Sequence, residues 1–293
     1  MNFKKIAIIF LVVFVNQSLF SQEKIKLWGI NATRKEKWSE LYVFLPEKQH
    51  PSGISVIICP GGSYYWLDMD NEGFSVAKYF NKNGITAFVL KYRTAKRGNH
   101  YPAMFQDLER AMQIVNENSQ KYVINPEKTG IMGFSAGGHL AGMVAIYFDM
   151  RFSDMRHETS HISNLKSQTL KPFFAAMIYP VVSMEDSICH KKSRKNLLGN
   201  NYSEELKQKM SLEKNVYTGM PPVFLLHCIG DKTVDYRNSE VLAKVLTEKN
   251  VRHKYLLLDE YGHGGHGFGI QPVGKASGWI DEFLKWIIEN ELL

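Results

Sequence analysis

Cysteine is scarce: the chain holds 3 in 293 residues, with no Cys-x-x-Cys, and no histidine pairing is read as a metal site. A disulfide-stapled scaffold and a structural metal site are therefore not expected, and a chain this long buries roughly 75% of its unfolded surface without either. Internal repeats, low-complexity tracts and inter-domain linkers are missing too. With 44% hydrophobic and 22% charged residues, disorder and a collagen-like chain are excluded on composition. No apolar run is long enough to span a bilayer. The longest near the N-terminus, Ile6 to Val15, has ten residues. Lys4 and Lys5 precede it and Asn16 to Ser21 follow, which is the basic, apolar, polar order of a secretory signal peptide; cleavage is expected after Ser21. No cysteine near that point supplies a lipid anchor. The expected organisation is an export address over 1–21 and one domain over 22–293. The mature chain is expected in the periplasm or outside the cell, with no stable membrane anchor.

A single-sign charge patch is also lacking. Lys and Arg exceed Asp and Glu by 36 to 29, a net +7 that falls to +5 without the export address. The densest cluster, Lys191-Lys-Ser-Arg-Lys195, is followed by Glu204 and Glu205. It reads as a solvated surface loop rather than a nucleic-acid stripe, so no nucleic-acid partner is expected. Cys59 and Cys228 end apolar runs and read as buried core residues, leaving Cys189 as the thiol to test for reactivity.

What the chain does have is alternation. Trp38 to Leu45 reads as a strand with Lys24 to Trp28 as a partner. Short, continuously apolar, β-branched runs follow at 54–59, 85–90, 129–133, 173–179, 222–228 and 254–258. Between them lie helical patterns at 72–83, 103–118, from Ala136, 238–250 and 274–291. Strands buried on both faces alternating with amphipathic helices predict an α/β fold: a mostly parallel central sheet with helices on both faces. The polar stretches 149–170 and 183–218 read as irregular insertions on the rim of that core.

Chemistry concentrates where these strands end. Gly133-Phe-Ser135-Ala-Gly137 fits G-x-S-x-G, entered by an apolar strand and left by a small-residue helix, the setting in which a serine is held on a tight elbow between glycines. A serine nucleophile needs a histidine base and an acid to orient it. Asp231 follows the 222–228 strand closely, and His266 lies in the glycine-rich loop after the 254–258 strand. Asp186, Asp235 and Asp259 are weaker rivals for the acid, and His263 competes for the base. His139, four residues after the serine, reads as packing, and His227, inside a strand, as a satisfied core histidine. The oxyanion donors are expected to be the backbone N–H groups of Ala136, Gly62 and Ser63, the last two in the turn after the 54–59 strand. Tyr64, Tyr65 and Trp66 follow at once and are expected to line the mouth, where a sugar ring would stack; the competing reading packs two of the three into the core.

Together these motifs resemble the α/β-hydrolase fold, and within it the acetyl-xylan and feruloyl esterase type of bacterial carbohydrate esterase. They are also similar to hormone-sensitive-lipase-like esterases. The resemblance is carried by Cys59-Pro-Gly-Gly-Ser-Tyr64 with Glu72-Gly73, Tyr101-Pro102 with Gln106-Asp107 and Arg110, Gly133 to Ala141, Pro221-Pro-Val-Phe224, His227 with Asp231, Asn238-Ser239, and Gly264-Gly-His-Gly-Phe-Gly269. It implies His266 as the base and Asp231 as the acid. The chain departs from it at Ser63, where a third glycine is usual, and at Gly230 and Asp235. The implied activity is a secreted serine esterase that removes acyl groups, acetyl before feruloyl, from plant or algal polysaccharide, with no metal or organic cofactor. A peptidase of the prolyl-oligopeptidase type shares sheet and triad, but 272 residues leave no room for its propeller. A hydrolase-like scaffold without activity is the remaining alternative.

Overall fold

A computed structural model describes residues 23–46, 52–148, 171–259, 265–271 and 278–290. The expected signal peptide and the stretch 149–170 lie outside the described residues, as does His263. Within them, eight strands form one sheet: β1 (Glu23–Lys26), β2 (Glu40–Phe44), β3 (Ser55–Cys59), β4 (Thr86–Lys91), β5 (Thr129–Phe134), β6 (Ala175–Ile178), β7 (Val223–Cys228) and β8 (His253–Leu258). The spatial order is β1-β2-β4-β3-β5-β6-β7-β8. β2 pairs antiparallel with both β1 and β4, and every later pairing is parallel.

Why the strands read as unbroken apolar runs is visible in how their residues divide. Ile57, Ile131, Met177 and Leu225 point into one core with α2 (Ala103–Glu117), α3 (Ala136–Tyr147) and α6 (Arg237–Glu248). Their neighbours Ile58, Met132, Ile178 and Leu226 point into a second core with α1 (Ser75–Lys82) and α7 (Trp279–Glu289). Period-two geometry thus sends successive apolar side chains to opposite faces, each covered by helices. The small-residue helix α3 is buried along its whole length.

Three expectations need correction. The stretch 183–218 is not irregular: it carries α4 (Lys191–Leu198) and α5 (Glu204–Lys209). The Lys191–Lys195 cluster is therefore helix, not loop. Its charge hid the apolar contacts made by Leu197 and Leu198, while Arg194 binds Asp186 at 2.6 Å. The helical pattern placed at 72–83 begins as a π-type turn over Asp70–Phe74 before α1 takes over.

The parallel register aligns the carboxyl ends of the strands. Cys59 of β3 sits beside Gly133 of β5, Phe134 beside Ile178 of β6, Ile178 beside Leu226 of β7, and Cys228 beside Leu258 of β8. Loops leaving those ends meet at one edge of the sheet, the usual place for ligand chemistry in an open α/β sheet.

Candidate active site

Ser135 occupies the turn between β5 and α3 at φ 52°, ψ −118°, a conformation that L-residues rarely adopt. The glycines flanking it are required by contact. A Cβ on Gly133 would meet the Gly137 carbonyl oxygen at 2.0 Å, and one on Gly137 would meet the Cys59 carbonyl oxygen at 2.0 Å. Only a backbone without side chains lets strand, helix and the neighbouring β3 loop pack so closely. The strain is over-determined by Ser135 N–H donating to the Ile178 carbonyl at 2.9 Å and Val181 N–H donating to the Ser135 carbonyl at 3.1 Å.

The structure brings Ser135, His266 and Asp231 into one line. His266 Nε2 lies 2.8 Å from Ser135 Oγ, and its Nδ1 lies 2.7 Å from Asp231 Oδ2. Asp231 also accepts the N–H groups of Thr233 and Val234 on Oδ1, at 2.8 and 2.9 Å. Burial works against its charge, but the bonds from His227, His266 and Val234 prevail and hold the carboxyl down at about 2. An ionised acid requires the Nδ1–H tautomer of His266, which leaves Nε2 free to accept the serine proton.

The rivals stand elsewhere. Asp186 is bound to Arg194, and Asp235 to Arg237. His139 is fully buried with Nε2 on the Met210 carbonyl at 2.7 Å and Nδ1 on the Tyr64 hydroxyl at 2.8 Å; burial lowers it to about 4. His227 is a core histidine with Ser239 Oγ at 2.7 Å and the Val234 carbonyl at 3.0 Å, yet its Nε2 also lies 3.2 Å from Asp231 Oδ2. It therefore supports the acid as well as filling the core. Cys189 is half-buried, and burial pushes its thiol up, away from a reactive thiolate.

After β3 the chain runs through Gly62, Ser63 and Tyr64 at φ 132°, 56° and 58°. This left-handed turn faces the serine: a Cβ on Gly61 would lie 2.9 Å from Ser135 Cβ. The Gly61 N–H is taken by Glu72 Oε2 at 2.7 Å, while those of Gly62, Ser63 and Ala136 have no partner among the described residues. The turn is held from outside by Asn196 Nδ2 on the Ser63 carbonyl at 2.8 Å and by the Ala95 N–H on the Tyr64 carbonyl at 2.8 Å.

One expected contact is wrong. Tyr64 does not line the mouth: it is fully buried, with its ring against Tyr92 and its hydroxyl on His139. The positive φ at three successive residues turns its side chain inward. Tyr65 and Trp66, 42% and 49% exposed, remain at the surface. A cavity of about 450 Å³ reaches the acid, lined by residues 186–191 and by Asp231, Lys232, Thr233 and Asp235.

Comparison with known proteins fits this geometry. The family model described as BD-FAE matches residues 41–246. The chain belongs to that family. An acetylxylan esterase of Xylanibacter ruminicola is 30% identical over 235 residues, covering 79% of this chain and 44% of that protein. An endo-1,4-beta-xylanase B of Butyrivibrio fibrisolvens is 29% identical over 280 residues, 89% of this chain and 42% of that protein. The chain thus spans less than half the length of the curated relatives it matches. Among solved structures, an acetyl ester-xyloside bifunctional hydrolase from Caldicellulosiruptor lactoaceticus superposes with a TM-score of 0.78 at 28% identity, over 93% of this chain and 97% of that one. The esterase Est2 of Thermogutta terrifontis gives 0.71 at 17% identity, over 93% of each chain. The fold is that of the α/β-hydrolases.

Proposed function

We propose that this BD-FAE family member is a serine carboxylic ester hydrolase that removes acyl groups, acetyl foremost, from plant or algal polysaccharide or oligosaccharide. One observation carries the reading: the unbroken contact from Asp231 through His266 to Ser135, set beside three backbone N–H groups that have no partner among the described residues. His266 takes the proton of Ser135 as the hydroxyl attacks the ester carbonyl, and the alcohol leaves with that proton. Water then attacks the acyl-enzyme, giving a proton to His266, which passes it to Ser135 Oγ as the acyl–Oγ bond breaks and the acid leaves. The oxyanion of each tetrahedral intermediate falls to the N–H groups of Gly62, Ser63 and Ala136, the last at the N-terminus of α3, where the helix dipole adds to the stabilisation.

A polysaccharide substrate is supported by three things: the names of the relatives, the exposed aromatic faces of Tyr65 and Trp66, and the polar cavity beside the acid loop, which suits a hydroxyl-rich leaving alcohol. Export through the Lys4 to Ser21 segment would place the enzyme where such polymers occur. The test is direct. Wild-type protein should label with a fluorophosphonate probe and release acetate from acetylated xylan more readily than ferulate from feruloylated xylan. Ser135→Ala should fail to label and lose several powers of ten in turnover; near-normal turnover by that variant would refute the assignment.

A further inference from the structure

Glu72 is buried, and no lysine or arginine pairs with it among the described residues. Its oxygens are nonetheless fully engaged. Oε2 accepts the Gly61 N–H at 2.7 Å, and Oε1 accepts the Tyr179 hydroxyl at 2.8 Å. The Tyr179 oxygen in turn accepts the Gly269 N–H at 3.1 Å, and its ring lies 4.6 Å from the His266 imidazole. The segment 68–72 makes two further ties. Asn71 Nδ2 donates to the Gly267 carbonyl at 2.7 Å, and the Asp68 N–H donates to the Gly61 carbonyl at 3.1 Å. The π-type turn at 70–74 therefore grips both the turn that carries Gly62 and Ser63 and the loop that carries His266; π-turns inside helices are frequent at functional sites.

We propose that Glu72 is a positioning residue whose ionised carboxylate, bridging the Gly61 amide and the Tyr179 hydroxyl, fixes the oxyanion donors and the catalytic base in one shared geometry. The proposal rests on the serine-esterase reading of the site. Its logic is one of hydrogen direction. Gly269 donates to the Tyr179 oxygen, so the Tyr179 proton points at Glu72, and the Gly61 proton points there too. A neutral carboxyl brings an O–H for which neither oxygen has an acceptor among the described residues, whereas the carboxylate takes both donors with no proton left over. Preorganised oxyanion donors act by needing no rearrangement as charge develops, so a turn released from Gly61 gives up stabilisation in the transition state rather than affinity for the ester. Burial pushes the Glu72 carboxyl up to about 7 even though Tyr179, Gly61 and His266 favour its charge; Asp68 and Tyr92 are the other titratable groups near it. The clamp then titrates close to neutrality, beside the base it serves.

Glu72→Gln is the decisive variant, because an amide of the same shape offers one acceptor oxygen to two donors, and with its carbonyl on Gly61 it strands the tyrosine proton. On p-nitrophenyl acetate, kcat should fall about 10- to 100-fold with KM within about threefold. Phenylboronic acid, which forms a tetrahedral adduct on the serine, should lose affinity by a similar factor. The acid limb of log kcat/KM against pH should be steeper than one protonation in wild type and reduce to one in the variant. Adding Tyr179→Phe to Glu72→Gln removes the stranded proton and should recover part of kcat. Asn71→Ala gives a second route, releasing the base loop alone, and should also lower kcat. The proposal is overturned if folded Glu72→Gln keeps wild-type kcat, inhibitor affinity and acid limb, or if its loss lies wholly in KM. Neither result touches the serine-esterase reading, which falls only if Ser135→Ala stays active.

Discussion

Replacing Asp231 by Asn tests whether the acid acts through the histidine tautomer, and the contacts allow the size of the effect to be worked out. The introduced amide has two orientations. In the first, its carbonyl keeps the Thr233 and Val234 N–H groups, which Asp231 holds at 2.8 and 2.9 Å, and its NH2 faces His266 Nδ1. That donor forces the imidazole proton onto Nε2, which then points at Ser135 Oγ and cannot accept its proton. In the second, the carbonyl faces His266 and the productive tautomer survives, but the NH2 meets two backbone donors. Leaving the buried Val234 N–H unsatisfied costs about 1–3 kcal/mol and the part-exposed Thr233 N–H adds up to about 1 kcal/mol, or about 1–4 kcal/mol together. At 1.36 kcal/mol per tenfold, the productive orientation is reduced about 5-fold to 10³-fold. Turnover of p-nitrophenyl acetate should fall within that range, KM should change little, and the circular dichroism spectrum should be preserved. Asp186→Asn and Asp235→Asn, whose carboxylates are bound to arginines, should change kcat by no more than a few-fold. A kcat for Asp231→Asn within threefold of wild type would refute the tautomer argument, and a large loss in Asp186→Asn instead would move the acid to that residue.

Other perturbations follow from the same contacts. The Asp231 carboxyl is lowered from 3.8 to about 2, so its contribution to stability is fully present above its unfolded value and is lost as pH falls from about 4 towards 2; with about 1.4 kcal/mol per unit this amounts to about 2 kcal/mol, readable as a shift in urea midpoint that Asp231→Asn abolishes. Asp107 is fully buried, accepting Trp28 Nε1 at 2.8 Å, Ser39 Oγ at 2.7 Å and the Arg93 backbone N–H at 2.7 Å while pairing with the Arg93 guanidinium at 2.9 Å. Asp107→Ala should therefore cost about 3–5 kcal/mol in chemical denaturation, with kcat of the folded fraction retained. Gly62→Ala places a Cβ 2.1 Å from the Trp66 carbonyl oxygen at a φ of 132°, and the displaced turn should lose at least about 100-fold in kcat on any ester. Trp66→Ala should raise KM for acetylated xylo-oligosaccharide but not for p-nitrophenyl acetate, whereas Tyr64→Phe, which removes only a buried bond to His139, should lower stability by about 1–2 kcal/mol and leave both KM values alone.

The residues proposed to do the chemistry could be read from the sequence and those that hold them could not, for a physical reason. Ser135 sits between Gly133 and Gly137 because strand, elbow and helix are consecutive in the chain, so the steric demand is written within five residues. Asp231 and His266 each follow a strand by a short loop, and parallel pairing brings strand ends together without further specification. The alternation of apolar runs likewise exposed the sheet and its two faces, since period-two burial is a local property. Non-local packing leaves no such mark. Tyr64, Tyr65 and Trp66 are equivalent as letters, and only three successive positive φ values and a partner at His139 send the first inward while the others stay out. α4 was hidden because Lys191, Lys192 and Lys195 dominate its composition while its burial rests on Ser193, Leu197 and Leu198. Glu72 stood in the sequence as part of a motif without a task, and its task depends on Tyr179, 107 residues away. A serine held on a local, strained turn between glycines announces itself. The groups that keep that turn from relaxing must reach it from other strands, and their identity becomes legible only once the sheet has closed.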